Sequence, residues 1–414
     1  MGSFPPRECG IATFTKDVVD SFDRLCGARS AVIAIDEPGG QARVYPPNVV
    51  GRLDHSDPAS YRAIVALVNA HPAEILNVQH EYGLFGGPGG VWFADLVEAI
   101  RKTVVVSLHT VLPDPSPEHR GLVRRICARA DGVIVLSRTG KDVLIAEYGI
   151  EPAKLSVIHH GVPDVPYAST DLAKASIGAG KRLVISTFGL INRGKGLEYA
   201  IEAMRTIVAK HPDALYLILG KTHPVVRKHE GESYRESLQE RICELGLANN
   251  VALVDHYLEF DELVAYLSAT DIYLTPYLDP AQIVSGTLAY AMGCGKAIVS
   301  TPYLYAKEVL AYGRGFLAEF RDADSISRTV CRLLDDPALR RATERRAYRF
   351  ARQMTWPKVA AAYGKLFREL VRPPRAPAAR IPVITPALLA HPSAANRRLD
   401  PAVLAAHAHR MTTR

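Results

Sequence analysis

The residues best equipped for chemistry lie in Ser186-Thr187-Phe188-Gly189-Leu190-Ile191-Asn192-Arg193-Gly194-Lys195-Gly196. A glycine loop at a strand's carboxyl end lets backbone approach a ligand closely. The helix predicted from Leu197 adds free N–H groups and a partial positive charge. Arg193 and Lys195 bring full charges to the same place, which suits a leaving diphosphate. A solvated basic turn accounts for the spacing equally well.

A second candidate is the run Gln282-Ile283-Val284-Ser285-Gly286-Thr287-Leu288, a loop that opens a helix near Ser285. Ser285 and Thr287 can donate to phosphate oxygens there, with Gly286 leaving room between them. Ser285 can equally serve as a plain N-cap, worth ~1 kcal/mol of helix stability. Glu308 follows the next strand and is expected to face the same cleft. In the first half, Gln79-His80-Glu81 follows one predicted strand, His109-Thr110 another, and His159-His160 a third. Side chains at such strand ends line one pocket in an open sheet. Two adjacent histidines without a carboxylate or cysteine at ligand spacing do not make a metal site. Asp322-Ala323-Asp324 reads as a polar loop and N-cap, not as a metal-binding pair.

These segments need positioning elements, and the alternation of the chain supplies them. Predicted strands in the first half are Ala31–Ile35, Glu74–Val78, Thr103–Leu108, Gly132–Leu136 and Leu155–Ile158. In the second half they are Leu183–Phe188, Ala214–Leu219, Val251–Val254, Asp271–Thr275, Ala297–Ser300 and Gly315–Ala318. Helical periodicity fills the gaps; Leu197, Ala200, Ile201, Met204, Ile207 and Val208 share one face. Such alternation predicts an α/β chain of βαβ units with mainly parallel sheets. Pro163, Pro166, Gly178 and Gly180 mark the boundary between two halves. The predicted organisation is an N-terminal Rossmann-like domain (1–165), a C-terminal one (176–352), a crossover helix (353–371) and a Pro/Ala/Arg-rich tail (372–414). The tail reads as a linker with a short helix at Pro401–His409. A Rossmann-like domain should open on a buried strand, yet the loop Phe4–Gly10 arrives almost at once. The first strand is therefore expected to be missing or very short.

Composition narrows the function classes. The 414 residues are 48% hydrophobic and 22% charged, a globular balance suited to two domains. Much of the net charge of +7 sits in the tail, where seven arginines face the single acid Asp400. The nearly neutral body argues against nucleic acid as a partner. No apolar run is long enough to span a bilayer, and the start does not resemble a signal peptide. Six scattered cysteines suggest a reduced cytoplasm as the simplest location.

Taken together, the chain from about Phe4 to Leu370 resembles a retaining glycosyltransferase of the GT4 family, with the GT-B fold. Phe4–Thr15 resembles that family's first glycine loop in its mannosyltransferase-like branch, with Gly10 on the donor side. Gly189–Gly196 resembles the loop whose basic residues hold the donor diphosphate, and Ser285–Ser300 the segment that encloses the donor. Met354-Thr355-Trp356 and the helix after it resemble the segment crossing back onto the N-terminal domain. The resemblance implies two Rossmann-like domains facing across a cleft and a nucleotide-sugar donor such as GDP-mannose. It implies a glycan or lipid-linked acceptor near Gln79, His80, Glu81 and His160. Attack on the same face, with no protein nucleophile and no cofactor or metal, follows from it. His109 matches the family's histidine near the transferred sugar, and Arg193 and Lys195 would stabilise the diphosphate. A lipid-linked acceptor would bring peripheral contact at the inner membrane face.

Two departures stand out. Many members carry two glutamates eight residues apart in the donor segment. The alignment of Leu288-Ala289-Tyr290-Ala291 with the usual Leu-Glu-Ala places Ala281 and Ala289 there. Gln282, Asp279 or Glu308 are the candidate substitutes. The arginine expected after Gly189 is Leu190, so Arg193 is expected to supply that charge. These departures keep two alternatives open: a GT-B phosphorylase and a non-catalytic sugar- or nucleotide-binding scaffold.

Overall fold

The structure, a computed structural model, describes residues 1–37 and 43–371; the tail 372–414 and the helix expected in it lie outside the described residues. The described strands are β1 (Val32–Asp36), β2 (Val49–Asp54), β3 (Ile75–His80), β4 (Thr103–Leu108), β5 (Gly132–Val135), β6 (Leu155–Val157), β7 (Leu183–Phe188), β8 (Ala214–Leu219), β9 (Val251–Val254), β10 (Ile272–Thr275), β11 (Ala297–Ser300) and β12 (Phe316–Leu317). Helices connect most of them, and every strand pair among the described residues is parallel.

In the C-terminal half the strands run β12-β11-β10-β7-β8-β9. Chain order therefore reverses between β7 and β10. A crevice opens at such a reversal because the two connecting helices leave on opposite faces of the sheet. The N-terminal half holds β3-β4-β5-β6 and a separate β1-β2 pair. Residues 1–3 join the two. The Gly2 N–H donates to Ile33 O (3.1 Å), the Ile35 N–H to Gly2 O (3.0 Å) and the Gln79 N–H to Met1 O (2.9 Å). The expected first strand is thus a stub, wedged between β1 and β3 at the reversal point of this sheet. The fold is GT-B: two Rossmann-like domains facing across a cleft.

Local chemistry explains the elements that flank the cleft. Helix Gly10–Cys26 is capped by Cys9, whose Sγ accepts from the Ala12 N–H, and stops at left-handed Gly27. Its buried Phe14, Val18 and Ser21 recur at helical spacing, so one face is committed to packing. Helix Trp356–Leu370 lies against it, with Phe22 and Phe367 rings 5.5 Å apart edge to face. The chain crosses between domains twice, and the crossings hydrogen-bond to each other. The Val162 N–H donates to Met354 O (2.9 Å) and the Trp356 N–H to Val162 O (3.2 Å). Gly161 is required there, since a Cβ would stand 2.2 Å from the Trp356 ring.

Each domain has its own core, centred on residues such as Val78, Val106 and Val133 in the first and Ile201, Ile218 and Val299 in the second. A third apolar cluster spans the boundary. Phe14, Val18 and Ile134 from one side meet Leu288, Ala306 and Tyr363 from the other. The two domains are therefore packed closed against each other.

Candidate functional site

The site is built where β7 ends beside β10. Gly189 leaves β7 with φ +135°, and its N–H donates to Leu219 O (2.9 Å). The loop then follows β8, with the Ile191 N–H on Lys221 O (2.9 Å), and closes a short turn over Arg193–Lys195. Gly196, at φ +60°, ends the turn; a Cβ there would lie 2.2 Å from Pro276 O, so only glycine fits. That tight approach brings Lys195 over the loop after β10. Its Nζ stands 3.9 Å from the centre of the Tyr277 ring. Burial lowers its pKa to about 8. No carboxylate pairs with it among the described residues. Thr187, Gly189, Ile191 and Lys195 border a small cavity at this point.

Arg193 behaves differently from Lys195. It is half exposed, 3.5 Å from Glu230 and stacked over the Tyr234 ring. Its charge is already shared within its own domain.

Opposite Lys195, helix Gly286–Gly293 begins. Ser285 Oγ accepts from the Leu288 N–H (3.3 Å), so Ser285 is an N-cap. Thr287 hydrogen-bonds Ser285 Oγ (3.2 Å) and Tyr277 Oη (2.7 Å). Tyr277 thus joins the start of this helix to the Lys195 ammonium. Gln282 turns back on its own loop, Nε2 to Val284 O at 2.9 Å. Gly286 faces the N-terminal domain, and a Cβ on it would stand 2.6 Å from His160 Nε2. Gly10 opens its helix with free space around it.

On the N-terminal side, Gln79 and His109 are brought together, with His109 Nε2 2.9 Å from Gln79 Oε1. Phe14 packs edge-on against both His109 and His160, and against Trp356. Burial, reinforced by His160 and His80, lowers the His109 pKa to about 3, and burial lowers that of His160 to about 4. Both imidazoles are neutral near pH 7. His160 Nδ1 lies 2.7 Å from Gly161 O, which leaves Nε2 facing Gly286. Glu81 ties two strand ends together, accepting from the Tyr82 N–H and from Thr110 Oγ1 (2.6 Å).

Two expected site residues are placed elsewhere. His80 packs against Phe85 and Phe93 in the N-terminal core, 2% exposed, so it packs the domain and does not line the cleft. Successive side chains of a strand point to opposite faces, and Gln79 takes the cleft side. Glu308 does reach across to the other domain, but as a helix cap. Its carboxylate accepts from the Arg138 N–H (2.9 Å), the Thr139 N–H (2.8 Å) and Thr139 Oγ1 (2.7 Å). The alignment on Ala289 is also corrected: that side chain is wholly inside the core. The helix instead presents Tyr290, which donates to Asp17 Oδ2 across the domain boundary (2.8 Å). Asp17, Tyr290, Tyr277 and Phe14 were not legible as site residues, because none carries a local motif.

No group of His, Cys, Asp or Glu suited to hold a metal occurs among the described residues. No helix among them is long and apolar enough to cross a membrane.

Two family comparisons cover most of the chain. Residues 10–164 match the model described as Glycosyltransferase Family 4, and residues 170–350 that described as Glycosyl transferases group 1. The chain belongs to the GT4 glycosyltransferases. Among its relatives, an uncharacterised glycosyltransferase of Methanocaldococcus jannaschii is 26% identical over 59% of this chain and 60% of its own. The GT4 chain thus spans less than two thirds of that relative's length. A GDP-mannose-dependent monoacylated α-(1-6)-phosphatidylinositol monomannoside mannosyltransferase of Corynebacterium glutamicum is 28% identical over 82% of this chain and 88% of its own. The crystal structure of Anabaena HepE with UDP and glucose superposes at a TM-score of 0.69, with 16% identity, covering 89% of this chain and 98% of that one. That likeness establishes the shared fold.

Proposed function

We propose that this GT4 protein transfers a hexose from a nucleotide-sugar to an acceptor hydroxyl, with Lys195 as the principal cation under the donor diphosphate. The observation that carries this reading is the Lys195 ammonium itself. It is held at the reversal point of the C-terminal sheet, with its pKa depressed by burial and no carboxylate paired with it among the described residues. A cation held in that state is stabilised by an incoming anion. Gly189 gives the anion access, and the start of helix Gly286–Gly293, whose Thr287 lies beside Gly189, supplies N–H groups.

The transferred sugar would then lie between that helix and the Gln79–His109 pair. The bond from its anomeric carbon to the diphosphate oxygen breaks, the bond to the acceptor oxygen forms on the same face, and the acceptor proton passes to the departing diphosphate. Neutral His109 and His160 can orient hydroxyls there but hold no proton to give near pH 7. Catalysis is then positioning and stabilisation of the leaving charge. Mannose and GDP are favoured by the Corynebacterium relative, while the HepE complex shows the same fold holding UDP.

Calorimetric titration with GDP, UDP and inorganic phosphate tests the reading. Lys195→Ala should weaken nucleotide binding by ~10- to 100-fold, the worth of a charge-assisted hydrogen bond. Arg193→Ala should cost only a few fold. Equal affinity of wild type and Lys195→Ala would sink the assignment. Phosphate binding without nucleotide binding would favour a phosphorylase. Nucleotide binding without turnover on any acceptor would favour a scaffold.

A further inference from the structure

Helix Pro337–Ala351 carries Arg341, Arg345, Arg346 and Arg349 exposed. At 100° per residue these four fall within one outer face, together with the small Ala338 and Ala342. None of the four makes an ion pair or hydrogen bond among the described residues. The helix's acid, Glu344, turns inward to Tyr167 and Arg340. The stripe ends at a protruding loop. Tyr312, at φ +60°, is 88% exposed, and Arg314 stacks between its ring and that of Phe350. Arg346 lies over the neighbouring Gly313. Unpaired arginines flanked by an outward aromatic thus share one outer helix face, distant from Lys195 in sequence.

We propose that this face docks on an anionic lipid bilayer. Charge complementarity favours the occupant: like-signed side chains without partners are held beside one another, and headgroup phosphates relieve their repulsion. Tyr312 adds an aromatic group suited to the headgroup level, where one end of a ring is apolar and the other wet. A single-stranded nucleic acid asks instead for aromatic platforms inside a basic groove. Here the arginines lie on one outer helix face with no aromatic between them, and Tyr312 stands at its edge. The inner face of the same helix shares a core with the donor helix, through Ala347 and Ala351 against Leu288 and Ala291. Docking would therefore hold the donor side of the cleft one helical layer from the membrane. The inference does not depend on which sugar is moved.

The full chain should sediment with vesicles of equimolar phosphatidylcholine and phosphatidylglycerol, and not with phosphatidylcholine alone. Each arginine removed should lower partitioning about fivefold, so the combined Arg341→Gln, Arg345→Gln, Arg346→Gln and Arg349→Gln variant should lose at least ~100-fold. High salt should erase most of the difference between the two proteins. Tyr312→Trp should show a blue-shifted emission increment on anionic vesicles only. All five positions are exposed, so thermal unfolding should not move. Unchanged vesicle binding by the combined variant, which keeps the tail arginines, would overturn the proposal. So would arginine-dependent binding to heparin or duplex DNA with no vesicle binding.

Discussion

At the scale of single residues, Arg193 and Lys195 look alike in sequence, two cations in one glycine turn. Folding separates them. Arg193 is neutralised by Glu230 and rests on Tyr234 at the surface. Lys195 meets only an aromatic face and has its pKa lowered to about 8. That difference has a measurable consequence. The diphosphate binds the ammonium and not the amine, so affinity should be flat below about pH 8 and fall above it, up to ~10-fold per pH unit. Calorimetry at pH 8.5 in buffers of different ionisation enthalpy should show about three quarters of a proton taken up per nucleotide bound. Lys195→Met should remove both the slope and the proton uptake. A slope that survives in that variant would assign it to another group. Sequence could place both cations in the cleft, but not tell which one keeps a free charge. The carboxylate that decides it, Glu230, comes from a separate helix.

At the scale of elements, the sequence resolves what is buried and periodic. Ala214–Leu219 and Val251–Val254 are continuous apolar runs, Leu183–Phe188 is one broken only by Ser186 and Thr187, and all three are strands over those bounds. β2 escapes because it is an edge strand. Gly51 and Arg52 interrupt it, and Leu53 alone is fully buried. The first strand is hidden for another reason. Its three residues gain their place from neighbours on both sides, not from any pattern of their own. Glu308 shows the same limit in a side chain. From sequence it follows a strand and belongs to the donor site; in the fold it caps helix Arg138–Tyr148 of the opposite domain. An N-cap contact is worth ~1 kcal/mol, and two backbone donors plus a hydroxyl are served here. Glu308→Ala should therefore lower stability by ~1–2 kcal/mol in denaturant titration while leaving nucleotide affinity nearly unchanged. A large loss of nucleotide affinity with unchanged stability would return Glu308 to the donor site.

At the scale of the whole molecule, helix Gly10–Cys26 is the element that holds the closed form. Glu8, just before it, pairs with Lys221; Thr13 Oγ1 meets Tyr257 Oη at 2.9 Å; and Asp17 accepts from Tyr290 Oη. Each partner comes from a different segment of the C-terminal domain, so the helix clasps that domain at three points. Asp17 is the deeper-set of the clasp's two carboxylates. Burial, opposed by the Tyr290 hydrogen bond, raises its pKa from 3.8 to about 6. An acid whose pKa is raised on folding favours the folded state when protonated. Its destabilising ionisation is fully present above about pH 6 and is relieved as pH falls toward 3.8. Asn cannot ionise yet still accepts the tyrosine hydrogen bond. Asp17→Asn should therefore stabilise the protein by ~1–2 kcal/mol at pH 7.5, the shift discounted for partial exposure. It should confer almost no stabilisation at pH 4, where wild-type Asp17 is already protonated in the fold. Thermal unfolding of both proteins at the two pH values decides it. Equal stabilisation at both would mean that the gain comes from packing and not from the charge.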